Sequence, residues 1–106
     1  MESIQKQYQQ YLIKLSSDLD LINIIIEKEN IIYESNFNLK SLHQHQLLMK
    51  SLTTQEIIKF IIGLIDMNKI EIKEENINLK LILISNLPNH SNVELNLQKY
   101  NIKRND

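Results

Sequence analysis

Apolar residues in the first third of the chain recur at the spacing of an amphipathic helix. From Tyr8 onward the intervals between them are 4, 3, 4, 3 and 4 residues, which is typical of a coiled-coil seam. An ordinary helix packed in a globular core is the competing interpretation. The pattern predicts a long coiled-coil-like helix over residues 1–34. The seam consists of Tyr8, Leu12, Leu15, Leu19, Ile22 and Ile26.

A second apolar region, over residues 35–68, predicts central helices. Thr53 and Glu56 have the spacing of a capping box, in which each side chain accepts a hydrogen bond from the other residue's amide. The residues that follow are apolar on nearly all sides of a helix. We therefore expect the segment from Ile57 to Ile65 to be the most buried part of the chain.

Residues 69–90 leave two interpretations open. Apolar residues alternate with period two on both sides of residues 74–76, which favours a small β-hairpin over 69–86. Leu, Lys and Glu are also good helix formers, so a helix fits equally well. Pro88 ends whichever element precedes it. Ser91 and Glu94 form a second capping-box pattern, which predicts a short C-terminal helix and tail over residues 91–106.

Composition agrees with a mainly α fold class. The 106 residues suffice for a single small helical domain with a modest core. One glycine and one proline disfavour all-β sandwiches and nucleotide-binding α/β folds, which need turn glycines. The chain has 19 isoleucines and 13 asparagines but no alanine. This skew is typical of a genome rich in A and T codons and weakens arguments from residue propensity.

Charge and cysteine content restrict the function further. A net charge of −1 at pH 7 does not suggest an electrostatic nucleic-acid binder. Cysteine is absent, which excludes disulfides, thiolate metal sites and cysteine nucleophiles. The first residues lack the pattern of a secretory signal. No apolar stretch approaches the roughly 20 residues of a membrane helix, so we expect an intracellular protein without membrane contact.

No combination of polar residues predicts a catalytic, cofactor or metal site. His43 and His45 are two residues apart and would point to different faces of a helix, which is unsuitable for zinc. Gly63 is isolated and is better explained by close helix packing than by phosphate binding. We therefore expect a protein that is not an enzyme, has no cofactor, and binds a helical protein partner.

The partner-binding residues that the pattern predicts are the apolar positions of the first helix. In a helical fold these positions would form a stripe that another helix could cover. They are Leu12, Leu15, Leu19, Ile22 and Ile26.

Two segments resemble the Swi-five family of DNA repair proteins, the small helical partners of Sfr-one. In the segment Leu47–Ile65, a paired leucine, the acidic Glu56 and the pair Ile62-Gly63 match the family pattern. In the segment Ser91–Ile102, a hydroxyl cap, Val-Glu-Leu, an aromatic and a β-branched residue match. The family's His-x-Tyr-Asn-Glu stretch is absent, and the matches cover about a third of the chain.

The resemblance implies a non-catalytic subunit of a recombination mediator complex in the nucleus. Such a subunit would pair with an Sfr-one-like protein and assist the RecA-like recombinase on single-stranded DNA. The resemblance also implies that six apolar residues of the central helices face the partner or the core. They are Leu47, Leu48, Ile57, Ile58, Ile61 and Ile62. Direct DNA contact would be weak at most and would come from the basic tail of Lys99, Lys103 and Arg104. The alternative is a small coiled-coil subunit of another assembly, such as a kinetochore, tethering or organelle-positioning complex.

Overall fold

The protein is built mainly from antiparallel strands. A computed structural model describes residues 3–45, 48, 53–85 and 91–101. The seven strands form one curved sheet in the order β1-β2-β3-β4-β7-β6-β5, and every neighbouring pair is antiparallel. The elements are β1 (Ser3–Tyr8), β2 (Tyr11–Asp18), β3 (Leu21–Lys28), β4 (Ile31–Asn38), α1 (Leu39–Leu42), α2 (Thr54–Asp66), β5 (Ile70–Glu74), β6 (Asn78–Leu83) and β7 (Val93–Asn101).

The mainly α prediction is wrong, and so are the predicted N-terminal coiled-coil-like helix and C-terminal helix. Residues 3–34 form β1, β2, β3 and the first half of β4, and the segment from Val93 is β7. Leu12 and Leu15 show why: a helix would place both on one seam, but in β2 they lie on opposite faces of the sheet. Isoleucine, the chain's commonest residue, packs well on such a pleated surface.

Two-residue turns connect the first four strands into an up-and-down meander. The turns are Gln9–Gln10, Leu19–Asp20 and Glu29–Asn30, spaced ten residues apart. The first residue of each has a φ of 57°, and the second has no positive φ. This combination is that of a type II′ turn, whose twist matches the twist of the paired strands. Glycine usually occupies the first position, and none of these turns contains it.

One hydrophobic core lies between the concave face of the sheet and α2. The helix contacts β1, β2 and β3, and alternate residues of the strands point towards it. The helix therefore covers the concave face over β1, β2 and β3. The buried strand residues include Ile13, Leu15, Ile22, Ile24, Ile26, Tyr33, Leu79, Leu81, Leu83, Val93, Leu95 and Leu97. The buried residues of α2 are Thr54, Ile57, Ile58, Ile61, Leu64 and Ile65.

Two local predictions are confirmed. The capping box at the start of α2 is present: Thr53 Oγ1 accepts from the amide of Glu56 at 3.1 Å, and Glu56 Oε1 accepts from the amide of Thr53 at 2.8 Å. The hairpin interpretation of residues 69–86 holds, because β5 and β6 pair directly. The amide of Glu75 donates to the carbonyl of Asn78 at 2.8 Å at the turn between them.

Candidate functional site

The main polar cluster on the concave side surrounds Glu74, at the end of β5. Its carboxylate accepts hydrogen bonds from the Tyr11 hydroxyl at 2.6 Å, from Lys28 Nζ at 2.7 Å and from the Tyr33 hydroxyl at 3.2 Å. Lys28 Nζ also lies 5.9 Å from the centre of the Tyr11 ring, within cation–π range. The donors come from β2, β3 and β4. Glu74, Tyr11, Lys28 and Tyr33, hereafter the Glu74 cluster, therefore join the edge strand β5 to the opposite half of the sheet.

The pKa values of this cluster are those of a structural contact. Hydrogen bonds from Lys28, and then from Tyr11, lower the pKa of Glu74. Burial, and then the hydrogen bond to Glu74, raise the pKa of Tyr11 to about 12. Burial, and then the charge of Glu74, also raise the pKa of Tyr33. A general acid or base works best with a pKa near the operating pH, and these shifts lead away from neutrality. The Glu74 cluster therefore supports the fold rather than acid–base chemistry.

Side chains also connect the two edge strands. The hydroxyl of Tyr8, on β1, lies 2.7 Å from Asn68 Oδ1 and 3.2 Å from the carbonyl oxygen of Ile70, on β5. Lys6 points towards the concave face and pairs with Asp66 of α2 at 2.8 Å. Inward-pointing charges on edge strands oppose pairing with strands of other chains. Lys6 therefore makes the β1 edge less suited to pairing with a strand of another chain. A different exposed feature lies at the turn between β2 and β3.

That turn carries the most exposed large apolar side chain among the described residues. Leu19 is 90% exposed and Leu21 is 42% exposed. Asp18 and Asp20 flank Leu19, and both are exposed. The four residues Asp18, Leu19, Asp20 and Leu21 are called the Leu19 tip below. The equivalent turn positions in the meander hold the polar residues Gln9 and Glu29, so an apolar side chain is not a requirement of this turn.

Both helices hold the backbone of the Leu19 tip. The amide of Leu39, the first residue of α1, donates to the carbonyl of Asp20 at 2.8 Å. The hydroxyl of Thr54, the first residue of α2, lies 3.5 Å from the carbonyl oxygen of Leu19, at the long limit for a hydrogen bond. The hydrogen bond to the Asp20 carbonyl therefore holds the backbone of the turn, while the Leu19 side chain points into solvent.

Two surface hollows adjoin the Leu19 tip. The first has a volume of about 390 Å³ and is called the Lys40 hollow below. The second, of about 330 Å³, lies on the convex face of the sheet. The described residues of the Lys40 hollow are Asp20, Asn38, Leu39, Lys40 and His43. Those of the second are Ser16, Ser17, Asp18, Leu21, Asn23 and Asn36.

The Leu19 tip carries two carboxylates, and the adjoining Lys40 hollow holds a lysine beside Asp20, which the two features share. Within the described part of the chain, Asp18, Asp20 and Lys40 take part in no ion pair. Both carboxylates and the lysine are exposed. A docked surface could therefore gain ion pairs here without breaking existing ones.

The structure distributes the predicted partner-binding residues unevenly. Leu19 is exposed, Leu12 is half-buried on the convex face of β2, and Ile62 is half-buried on α2. The largest group lies in the chain's own core. These buried residues are Leu15, Ile22, Ile26, Leu48, Ile57, Ile58 and Ile61. Leu47 lies outside the described residues. Asp18, Asp20 and Lys40 were not predicted, because a helix would not have brought them to one turn.

The described residues show neither a cluster of metal-binding side chains nor a membrane-spanning helix. Across residues 3–45, 53–85 and 91–101, no three His, Cys, Asp or Glu side chains come close enough together to hold a metal ion. No described helix is long and apolar enough to span a membrane. No family model, no curated protein and no solved structure matches this chain.

Proposed function

We propose that this chain is a non-catalytic assembly subunit that docks on another protein surface through the Leu19 tip. The supporting observation is the conformation of Leu19, which combines 90% exposure with a φ of 57°. A single exposed leucine is common on protein surfaces. A leucine in the left-handed region is not, because that conformation favours glycine and costs about 1–3 kcal/mol. A docking role supplies a reason for keeping leucine there.

The anchored turn makes the Leu19 side chain an efficient binding group. Full burial of a leucine side chain contributes about 1.5–3 kcal/mol. The pairing of β2 with β3 and the hydrogen bond from the Leu39 amide to the Asp20 carbonyl already order the turn, so binding has little backbone entropy to lose. Since each 1.4 kcal/mol corresponds to about a tenfold change in affinity, this one side chain can contribute about ten- to a hundredfold.

Leu19→Gln tests the proposal with little risk to the fold. Glutamine already occupies the equivalent turn position at Gln9, so the variant keeps a residue type that this turn accepts. Gln9→Leu is the matched control, since it adds the same exposed leucine to a different turn. The wild type and both variants would be tagged, cross-linked in the native cells and analysed by quantitative mass spectrometry.

We expect Leu19→Gln to reduce recovery of the specific partner by about tenfold or more, and Gln9→Leu to leave it unchanged. Equal recovery with all three chains would contradict docking through Leu19. The recombination-mediator role stays a prediction. Leu19-dependent recovery of an Sfr-one-like protein or of the RecA-like recombinase would support that role, and any other partner would support the assembly role alone.

A further inference from the structure

We infer that the second hollow, on the convex face of the sheet, binds one unit of a neutral sugar through oriented amide and hydroxyl groups. The hollow has a volume of about 330 Å³, at the lower end of the roughly 300–1,000 Å³ of small-molecule sites, which suits a ligand of monosaccharide size. It is called the Asn36 hollow below. Leu19 does not line it, so sugar binding is independent of the proposed docking role.

Cross-strand pairing sets the polar groups of the Asn36 hollow side by side. Ser16 of β2, Asn23 of β3 and Asn36 of β4 occupy neighbouring register positions on the convex face. Adjacent strands lie about 4.8 Å apart, so the three side chains form a row of neutral hydrogen-bonding groups. Asp18 and Leu21 pair in the next row towards the turn, and they add a carboxylate and an apolar surface.

A chain of hydrogen bonds fixes the orientation of both amides. Asn23 Nδ2 donates to Glu34 Oε2 at 2.6 Å and to Asn36 Oδ1 at 3.0 Å. An ionised carboxylate only accepts hydrogen bonds, so Glu34 requires Asn23 to present its NH2 group, and Asn36 then presents its oxygen. Asn23 Oδ1 remains as an acceptor and Asn36 Nδ2 as a donor. Neither atom has a hydrogen-bond partner among the described residues.

These groups are complementary to the hydroxyls of a sugar. Each hydroxyl both donates and accepts, so two neighbouring hydroxyls can bind the free oxygen of Asn23 and the free NH2 group of Asn36 at once. The Asp18 carboxylate accepts from a further hydroxyl, and the Ser16 hydroxyl donates or accepts. Leu21 is 42% exposed and offers an apolar surface to the C–H groups of the ring. Because the amides are already oriented, binding has little side-chain entropy to lose.

Charge and geometry disfavour other ligands of this size. The described residues of the Asn36 hollow include Asp18 and no lysine, arginine or histidine, so a phosphate or carboxylate would meet a like charge there. In a trans peptide unit the N–H and the C=O point in opposite directions. One peptide unit therefore cannot satisfy the neighbouring acceptor of Asn23 and donor of Asn36, whereas two adjacent sugar hydroxyls can.

NMR titration of the isotope-labelled full chain tests sugar binding. Glucose, galactose and mannose differ in the orientation of single hydroxyls, and each would be added up to about 50 mM. At least one should shift the side-chain NH2 signals of Asn23 and Asn36. We expect a dissociation constant of about 1–10 mM, because a hexose has only about 12 non-hydrogen atoms and each contributes little. N-Acetylglycinamide, which has amides but no hydroxyls, should shift neither signal.

Asn36→Asp tests the free donor without removing the bond to Asn23. The aspartate still accepts from Asn23, but a second acceptor replaces the NH2 group, so sugar binding should weaken at least about tenfold. Asn96→Asp is the matched control: Asn96 is exposed on β7, and its Oδ1 also accepts from a neighbouring asparagine, Asn78, at 3.2 Å. It should bind like the wild type, and so should Leu19→Gln. Circular dichroism would verify that each variant is folded.

Several results would overturn sugar binding at the Asn36 hollow. One is the absence of any shift of the Asn23 and Asn36 signals with all three sugars. Another is an affinity that Asn36→Asp leaves unchanged, or that Asn96→Asp lowers as much. Equal shifts with N-acetylglycinamide would indicate an amide-binding site instead. The docking role of Leu19 is tested separately by partner recovery, so a folded Leu19→Gln chain that keeps the sugar and loses the partner would support both proposals.

Discussion

At the scale of single residues, the meander turns place ordinary side chains in a conformation that glycine prefers. Gln9, Leu19 and Glu29 all have a φ of 57°. At two of these positions a polar side chain meets solvent, and at the third a leucine does. The conformational cost is similar at each turn, but only Leu19 adds the cost of an exposed apolar surface. This difference between equivalent positions is the basis for assigning function to one turn.

Gln9 and Gln10 provide a matched test of the turn conformation. Gln9→Gly should raise the free energy of unfolding by about 1 kcal/mol, because glycine accepts a positive φ without steric cost. Gln10→Gly makes the same chemical change at a position without a positive φ. It should lower the free energy of unfolding by about 0.5–1 kcal/mol, since glycine gives the unfolded chain more freedom.

Urea unfolding of both variants beside the wild type would measure these effects. Stabilisation by Gln9→Gly together with destabilisation by Gln10→Gly is the expected pair of results. Equal destabilisation by both variants would contradict a left-handed residue at Gln9, and with it the type II′ form of the turn.

At the scale of elements, the sequence predicts the helices and strands whose ends have recognisable capping or turn residues. Thr53 and Glu56 mark the start of α2, and the polar residues 74–76 mark the turn of the β5–β6 hairpin. The meander lacks such signals, because its turns are Gln-Gln, Leu-Asp and Glu-Asn rather than glycine-containing pairs. Because these turns are not recognisable from sequence, the apolar pattern of the strands predicts one long helix instead.

The information for the meander is nevertheless present as a repeat. Alternating stretches of eight residues, separated by pairs, recur every ten residues through β2, β3 and β4. Ile22, Ile24 and Ile26 show the period of two. The same region shows helical spacing only when residues from both faces of the sheet are counted together as one seam. A ten-residue repeat of short alternating segments predicts a turn at Leu19. The Lys40 hollow beside this turn depends on the position of α1, which the repeat does not predict.

The Glu74 cluster predicts how β5 responds to acid. The pKa of Glu74 is lower in the folded chain than its ordinary value of 4.5. Its contribution to stability is therefore fully present above that value and is lost as the pH falls through the lower folded pKa. Glu74→Gln should remove this acid-sensitive part. At neutral pH it should lower the free energy of unfolding by about 1–2 kcal/mol, because charged hydrogen bonds are lost.

Glu71→Gln is the control for Glu74→Gln. Glu71 lies on the same strand, is exposed and points to the opposite face of the sheet. Urea unfolding between pH 3 and pH 7 would measure both variants and the wild type. The expected result is a smaller loss of stability on acidification for Glu74→Gln than for Glu71→Gln. Identical pH profiles for the two variants would contradict the role of Glu74 in holding β5.

At the scale of the whole molecule, most large apolar residues of the described chain lie in the core or pack against it. The exposed ones are Leu19, Leu21, Met67, Ile77 and Tyr100. The core includes both sheet halves and α2, and side chains of Tyr8 and Glu74 connect strands that do not pair. On the concave face, α2 packs against β1, β2 and β3. On the surface, the Leu19 tip combines an exposed apolar side chain, two carboxylates and an ordered backbone, and it is therefore the region that we propose for contact with other proteins.

The fold and the Leu19 tip both require residues 11–28 to form two strands with Leu19 at the turn between them. Cross-strand nuclear Overhauser effects measured by NMR on the isotope-labelled chain test this directly. Contacts are expected between Leu15 and Ile24 and between Ile13 and Ile26, which face each other in β2 and β3. A continuous run of contacts between residues three apart from Leu12 to Ile26, without those cross-strand contacts, would indicate a helix and contradict both the fold and the Leu19 tip.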